Sequence, residues 1–180
     1  KPRIIVASSI RSEKLLNKNG FTVTKLNDLK KPLSLYVDGA DEIDYQLNMI
    51  KGGGGALTSE KILASQSEKF ICIVDESKLV KKLGKFPLPI EIIDSSTSGI
   101  IRYFEKNFGV IAKKRLNFLS DHGNPIIDVH HLKINVPIEL ENDLNKVPGV
   151  VTNGLFCHQK ADLCLIASKD GVKMISNNSG

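Results

Sequence analysis

The residues best suited to chemistry lie in one stretch, VDGADEIDYQLNMIKGGGGALTSEK, which covers residues 37–61. Its first eight residues carry four carboxylates, and Lys51, four consecutive glycines and Glu60 follow. Carboxylates accept hydrogen bonds from hydroxyls, and a carboxylate in a partly dry pocket can move protons because its pKa is raised there. Glycines ahead of a helix let backbone N–H groups approach an anion. The combination indicates acid–base chemistry on a small anionic substrate, such as a sugar phosphate.

The strand endings predict where these groups lie. Asp38 closes the apolar strand LSLYVD, and Lys78 follows a second buried strand, FICIVD, which ends at Asp75. Open parallel sheets bind ligands just beyond the carboxyl ends of their strands. We therefore expect Asp38, the loop at residues 39–41 and Lys78 to share one edge of a sheet with the glycine run.

Other chemistries fit this stretch less well. KGGGGALTSEK lacks the Gly-Lys-Ser/Thr ending of a P-loop, and it is not the G-x-G-x-x-G pattern of dinucleotide binding. Asp38, Asp41 and Asp44 leave a metal site open as an alternative, although no glycine or closing glutamate stands at EF-hand offsets. A plain glycine turn beside solvated acids is the structural alternative.

The first half of the chain alternates strand and helix. Apolar runs predict strands at residues 3–8, 21–26, 33–38 and 70–75, with a helix capped by Ser12 and stopped by Gly20 between the first two. A further helix, at about residues 55–67, carries Glu60 near its start and Leu57, Ile62 and Leu63 at helical spacing. Such alternation predicts an α/β fold with a parallel sheet covered by helices.

From about Pro87 the pattern changes to β-α-β-β-α-β, the ferredoxin-like α+β arrangement. The predicted elements are a strand LPIEII, a helix closed by Gly109, an antiparallel pair joined by SDHG, a helix ended by Pro148-Gly149 and a strand VVTNGLFC. The tail ADLCLIASKDGVKMIS reads as two strands that return to the first domain. We expect one domain at residues 1–86 and 158–180, and a smaller one at residues 87–157.

Composition narrows the class of protein. No apolar run approaches the roughly 20 residues that span a bilayer. Cys72, Cys157 and Cys164 lie in apolar stretches, which favours buried reduced thiols and a cytoplasmic location. The net charge of +5 leaves a nucleic-acid-binding module open, but the lysines are scattered, so steering of a small anion is the preferred interpretation.

Five segments together resemble the ribose-5-phosphate isomerase A family: YVDGADEID, MIKGGGGALTSEK, VDESK, LGKFPLPIE and VPGVVTNGLF. They stand in that family's order and at its spacing, and the resemblance covers essentially the whole chain. It implies a Rossmann-like parallel sheet domain with a second, smaller ferredoxin-like α+β domain. It also implies an aldose-ketose isomerase that interconverts D-ribose 5-phosphate and D-ribulose 5-phosphate, with no metal or organic cofactor.

The resemblance assigns roles to individual residues. Glu60 takes the place of the general base, with Lys51, Asp38 and Asp41 as the other catalytic groups. The substrate-binding segments fall on Asp38, Gly39, Ala40, Asp41, Lys51, Gly52, Gly53, Gly54 and Lys78. The family forms homodimers or homotetramers, and neither nucleic acid nor a membrane is expected as a partner.

Two points stay open at this level. The family carries a further strand, a Gly-Thr-Gly-Ser-Thr-type phosphate loop and a helix ahead of the segment that matches Lys1, so we expect this chain to be part of a longer protein. A sugar-phosphate sensor without turnover, or an isomerase for another aldose, would use the same pocket.

Overall fold

A computed structural model describes residues 4–176 of the chain. The helices there are α1 (Ile10–Lys18), α2 (Leu57–Ser65), α3 (Thr97–Phe108) and α4 (Pro137–Asn145). The strands are β1 (Tyr36–Asp38), β2 (Glu42–Ile43), β3 (Met49–Ile50), β4 (Phe70–Asp75), β5 (Leu88–Ile92), β6 (Ala112–Lys114), β7 (Ile126–Val129), β8 (Val150–Asn153), β9 (Leu155–Phe156), β10 (Leu163–Ser168) and β11 (Gly171–Ser176). Short 3-10 turns lie at Leu26–Asp28, Glu76–Lys78 and Asp94–Ser96. None of the helices within residues 4–176 is long and apolar enough to cross a membrane.

The first sheet has the order β1-β4-β10-β11. Strands β1, β4 and β10 are parallel, and β11 pairs with β10 as an antiparallel edge. The predicted parallel sheet and the return of the tail into it are both confirmed. Phe70, Cys72 and Val74 alternate along β4 and are buried in one core cluster with Leu63 and Ala64 of α2. This packing fixes α2 against the sheet whose carboxyl edge carries Asp38.

The second domain is the predicted ferredoxin-like unit. Its antiparallel sheet has the order β6-β7-β5-β8, with α3 and α4 as the two connecting helices. Ile100 and Phe104 of α3 are buried in its core, whereas Phe108 in the last turn is 38% exposed. The helix ends at Gly109, whose φ of 64° supplies the left-handed conformation that a side chain would disfavour.

A small third sheet, β2-β3-β9, was not predicted from the sequence. Strands β2 and β3 form a hairpin directly after the Asp38 loop, and β9 pairs with β3. The prediction that VVTNGLFC forms one strand is therefore wrong, because the segment divides at Gly154 into β8 and β9. A side chain there would meet the backbone oxygen of Lys51 at 2.5 Å, so only glycine permits the close approach.

The predictions for the N-terminal segment need correction. Residues 4–8 and 21–26 form no strand, although one backbone hydrogen bond joins the two segments, from Thr24 N to Ile5 O at 2.7 Å. A groove of about 500 Å³ separates residues 4–8 from β1, so the segment has no neighbouring strand with which to exchange hydrogen bonds. Arg3 lies outside the described residues.

Three local details also differ from expectation. Helix α1 is capped by Ser9, whose hydroxyl accepts the N–H of Ser12 at 3.0 Å, so Ser12 lies inside the helix that it was expected to cap. Strand β1 begins only at Tyr36, because the only strand pairing of residues 33–35 within the described part of the chain is an isolated bridge from Leu33 to Ser67, just after α2. Ile62 is 36% exposed, so the buried side of α2 is formed by Leu57, Leu63 and Ala64.

Candidate active site

The carboxyl edge of the first sheet holds a pocket of about 190 Å³. Its lining contains nine of the ten residues singled out from the sequence: Asp38, Gly39, Ala40, Asp41, Lys51, Gly52, Gly53, Gly54 and Glu60. Three elements bring them together: the loop after β1, the loop after β3 and the first turn of α2. The pocket is therefore built where two strands end and one helix begins.

Lys51 lies at the centre of this pocket and is only 3% exposed. Its Nζ lies 3.2 Å from Asp38 Oδ2 and 3.6 Å from Glu60 Oε2, and it donates a hydrogen bond to the backbone oxygen of Gly39. The ammonium also stands 5.6 Å from the ring centroid of Phe156. Its position follows from the backbone, because Lys51 N donates to Gly154 O at 2.9 Å.

Glu60 is a largely buried carboxylate of the pocket with a shifted pKa. Burial raises its pKa to about 7, the cation of Lys51 opposes that rise, and the nearby charges of Asp38 and Asp41 add to it. The contact of Oε2 with Lys51, at 3.6 Å, is ionic and too long for a hydrogen bond. Among the residues that the structure describes, Oε2 is buried without a hydrogen-bond partner. Glu60 can therefore exist in either protonation state near neutral pH.

The two aspartates are held in fixed orientations. Asp38 accepts hydrogen bonds from the Tyr36 hydroxyl and, at 2.8 Å, from Gly39 N. Burial, together with the charge of Asp38, raises the pKa of Tyr36, so its hydroxyl remains a donor. Asp41 accepts the N–H of Gly53 at 2.7 Å, which ties the loop after β1 to the glycine run.

The other two acids of the cluster support the backbone. Glu42 accepts the N–H groups of Gly84 and Phe86, at 2.8 and 2.7 Å. Asp44 closes the β2–β3 turn by accepting from Gln46 N and from Asn48 N and Nδ2. The carboxylates of residues 38–44 thus fall into two groups. Asp38 and Asp41 line the pocket, whereas Glu42 and Asp44 accept hydrogen bonds that hold the backbone.

The glycine run allows contacts that a side chain would block. A Cβ on Gly53 would lie 2.6 Å from Asp41 Oδ1, and Gly52 has a φ of +96°. A Cβ on Gly54 would meet nothing within 4 Å, so this residue faces open space at the pocket. Helix α2 begins at Leu57, which directs its N-terminal partial positive charge toward the pocket.

Lys78 is the one predicted site residue that does not line this pocket. It ends the 3-10 turn after β4, and its side chain is half-buried. The metal alternative also finds no support in the geometry. Within residues 4–176 no group of three or more His, Cys, Asp or Glu side chains is arranged to hold a metal ion. Asp44 accepts its hydrogen bonds within the β2–β3 turn and does not line the pocket with Asp38 and Asp41.

Sequence reasoning missed two ion pairs that hold the site. Arg115, with its partner Asp128, reaches from the second domain to the backbone of the glycine run. Lys61, next to Glu60, donates to the almost fully buried carboxylate of Glu141 at 2.7 Å. A lysine directly after the candidate base was a weak signal for the second pair. Nothing in the run KKR distinguished Arg115 from its neighbours.

Comparison with known proteins identifies the family. The profile of ribose 5-phosphate isomerase A (phosphoriboisomerase A) matches residues 4–171. The ribose-5-phosphate isomerase A of Bordetella avium is 51% identical over 171 residues, which are 95% of this chain and 75% of that protein. The crystal structure of the Neisseria gonorrhoeae enzyme superposes with a TM-score of 0.91 at 44% identity, covering 95% of this chain and 76% of the other.

A third relative was solved with a ligand. A D-ribose-5-phosphate isomerase in complex with phospho-erythronic acid superposes with a TM-score of 0.91 at 36% identity. The aligned part covers 96% of this chain and 77% of that one. The matches extend over both sheet domains, so the pocket and its supports lie within the shared fold. The chain belongs to the ribose 5-phosphate isomerase A family.

Proposed function

We propose that Glu60 is the general base with which this chain isomerises ribose 5-phosphate to ribulose 5-phosphate. The observation that carries the proposal is a carboxylate that lines the pocket, has a pKa of about 7 and lies 3.6 Å from an ammonium group. A base acts best when its pKa lies near the working pH. A glutamate with its ordinary pKa would be a weaker base and would abstract the C2 proton more slowly.

The reaction moves one proton between neighbouring carbons. Glu60 takes the proton from C2 of the open-chain aldose, and the electrons of that C–H bond form a C1=C2 double bond while O1 becomes negatively charged. A cis-enediolate with O1 and O2 on one side results. Glu60 then returns the proton to C1, the C2–O2 bond becomes a carbonyl, and the hydroxyl proton passes from O2 to O1.

Lys51 stabilises the negative charge of the enediolate. Its ammonium is buried and already paired with Asp38, so it is held in place before the charge develops. Preorganised donors of this kind supply the largest stabilisation in many enzymes. The N–H of Gly54, which makes no hydrogen bond to any described residue, is a second donor at the same pocket.

Asp38 and Asp41 orient the sugar hydroxyls and carry the proton between O1 and O2. Gly39, Ala40, Gly52 and Gly53 form the walls that bring backbone groups to the substrate. Lys78 binds a hydroxyl or the phosphate at the rim, since the carboxyl end of β4 brings it to the same edge of the sheet.

The substrate proposal rests on family membership and on the charge pattern of the pocket. The ligand named for one solved relative, phospho-erythronic acid, is a phosphorylated sugar acid. Its carboxylate has two oxygens that share a negative charge, as the enediolate does. A pocket with a buried ammonium and backbone donors suits both species. We propose no nucleic acid as a binding partner.

A steady-state isomerisation assay with ribose 5-phosphate tests the function, with and without EDTA. We expect turnover that is unchanged by chelation, and deuterium from D2O at C1 of the product. Binding of ribose 5-phosphate without turnover would instead support a sensor. Loss of rate with EDTA would support a metal site, and retention of the substrate C2 hydrogen over many turnovers would contradict an exchanging base.

The setting of the protein is also a proposal. We propose a cytoplasmic homodimer or homotetramer, with domain boundaries at residues 1–86, 87–157 and 158–180. The free, buried thiols of Cys72, Cys157 and Cys164 suit a reducing compartment. The oligomer is what the family resemblance implies. Sedimentation equilibrium measures the mass of the assembly, and a monomer at micromolar concentration would contradict the oligomer.

A further inference from the structure

Arg115 connects the second domain to the glycine run of the pocket. It directly follows β6, and its guanidinium forms a two-pronged pair with Asp128 of β7, with both N–O distances at 2.7 Å. The guanidinium also donates hydrogen bonds to Gly53 O at 3.2 Å and to Gly52 O at 3.1 Å. Both side chains of the pair are largely buried, at 15% and 22% exposure.

The two carbonyls that Arg115 binds determine where two N–H groups point. In a trans peptide group the C=O and the N–H are directed oppositely. The Gly52 carbonyl shares its peptide group with the N–H of Gly53, which donates to Asp41 at 2.7 Å. The Gly53 carbonyl shares its group with the N–H of Gly54, which has no hydrogen-bond partner in the described part of the chain. Carbonyls turned toward Arg115 therefore turn both N–H groups away from it, toward the pocket side.

We infer that Arg115, held by Asp128, is a positioning residue that fixes the glycine run so that its N–H groups serve the isomerisation. This inference rests on the proposed function, because it assigns the Gly54 N–H to the developing oxyanion. Arg115 itself does not line the pocket, and it acts only through the backbone of residues 52–54.

An arginine is the side chain that suits this task. Its planar fork can bind one carboxylate with two donors and still offer N–H groups to two carbonyls, whereas a lysine ammonium lacks the rigid fork. The ring of Phe118 lies 5.3 Å from the guanidinium carbon. That ring also lies against the glycine run, since a Cβ on Gly55 would meet Phe118 Cζ at 2.2 Å. The loop is thus fixed by a charged contact and by packing.

The competing explanation is that the pair only braces the two domains. A brace would affect stability and leave the chemical step alone. A positioning residue affects turnover even where the fold is intact, because the glycine N–H groups lose their orientation. The ratio of the change in kcat to the change in KM separates the two explanations.

Arg115→Lys and Asp128→Asn test the inference, each compared with Lys114→Met. Lys114 is the neighbouring cation and pairs with exposed Asp94, so its loss leaves the glycine run unchanged. A misplacement of about 1 Å can cost roughly 100-fold in rate. We expect both variants to lose kcat by about 10- to 100-fold, with KM within about threefold of wild type. Lys114→Met should match wild type in both constants.

Circular dichroism and thermal unfolding confirm that each variant is folded. If Arg115→Lys fails to fold, Arg115→Ala assayed with added guanidinium ion provides a second measurement. A kcat that recovers as the guanidinium concentration rises would support Arg115 as a positioning residue. Wild-type kcat in folded Arg115→Lys, or a lowered unfolding temperature with unchanged kcat, would overturn the inference. The proposed function is tested separately, since turnover of Glu60→Gln at the wild-type rate would refute Glu60 as the base whatever the Arg115 variants do.

Discussion

The Lys51 ammonium lies 3.6 Å from Glu60 Oε2, close enough for attraction and too far for a hydrogen bond. The same ammonium lies closer to Asp38, at 3.2 Å. Glu60 therefore receives only part of the stabilisation that a fully paired carboxylate would have, and burial raises its pKa to about 7. A strong ion pair would have kept Glu60 ionised and weakly basic. The unequal sharing of one cation between two carboxylates is what makes Glu60 suitable as a base.

The pH dependence of kcat/KM should follow the ionisation of Glu60. Only the carboxylate can accept the C2 proton, so we expect kcat/KM to fall as pH drops through about 7, the pKa of Glu60. The second pKa of the substrate phosphate is about 6 and is measured independently by ³¹P NMR. A profile that is flat from about pH 5 to 8, once the phosphate is accounted for, would contradict the assignment.

Lys51→Ala should lower kcat more than it raises KM. The ammonium meets the full negative charge only in the enediolate, so its loss affects the transition state more than substrate binding. Steady-state kinetics provide both constants, and Lys85→Ala, at an exposed lysine, is the control. A variant in which only KM changes would show that Lys51 binds substrate and does not stabilise the intermediate.

Lys61→Met should destabilise the protein strongly. It leaves the Glu141 carboxylate, 1% exposed, with two backbone N–H donors but without its cation. Breaking a buried pair in this way costs about 3–5 kcal/mol. Lys146→Met removes the exposed ion pair with Asp143 of α4, the helix that also carries Glu141. This loss should cost at most about 1 kcal/mol of unfolding free energy. Urea unfolding measures both, and equal losses would contradict the buried pair as an anchor of α2.

Glu60→Gln should be more stable than wild type at alkaline pH. The folded-state pKa of Glu60, about 7, exceeds its ordinary value of 4.5, so folded wild type binds the proton more tightly than the unfolded chain. Wild-type stability therefore falls as pH rises between these values, by on the order of 3 kcal/mol from this group. Unfolding at several pH values should show the variant's advantage growing from about pH 4.5 to 7 and then levelling off. A constant difference would contradict the raised pKa.

The sequence alone predicted both sheet domains and nine residues that line the pocket. The ends of the strands and the helix after the glycines were sufficient to locate the pocket. Asp38 ends a strand and Glu60 lies near the start of a helix, both of which can be predicted from neighbouring residues, and Lys51 directly precedes the glycine run. The roles of Glu42 and Asp44 could not be read in this way. Their carboxylates resemble those of Asp38 in sequence, and only the N–H groups brought to them by the fold mark them as structural.

Contacts between distant segments account for the remaining errors. Arg115 reaches residues 52 and 53 across the domain boundary, and no local pattern encodes such a partner. Gly154 divides a continuous apolar run because the Lys51 backbone crosses there, which again depends on tertiary structure. Residues 4–8 have the composition of a strand, but a strand needs a neighbour to pair with, and a groove lies between them and β1.

The central claim is that Glu60 moves the proton while Lys51 bears the charge. Its most direct test is kcat of Glu60→Gln, with the substrate Kd from calorimetry and exposed Glu68→Gln as the control. Placed proton transfer is worth about 10²–10⁴-fold, so we predict a loss of at least about 100-fold in kcat with Kd within about threefold of wild type. Turnover of Glu60→Gln at the rate of Glu68→Gln would contradict the claim.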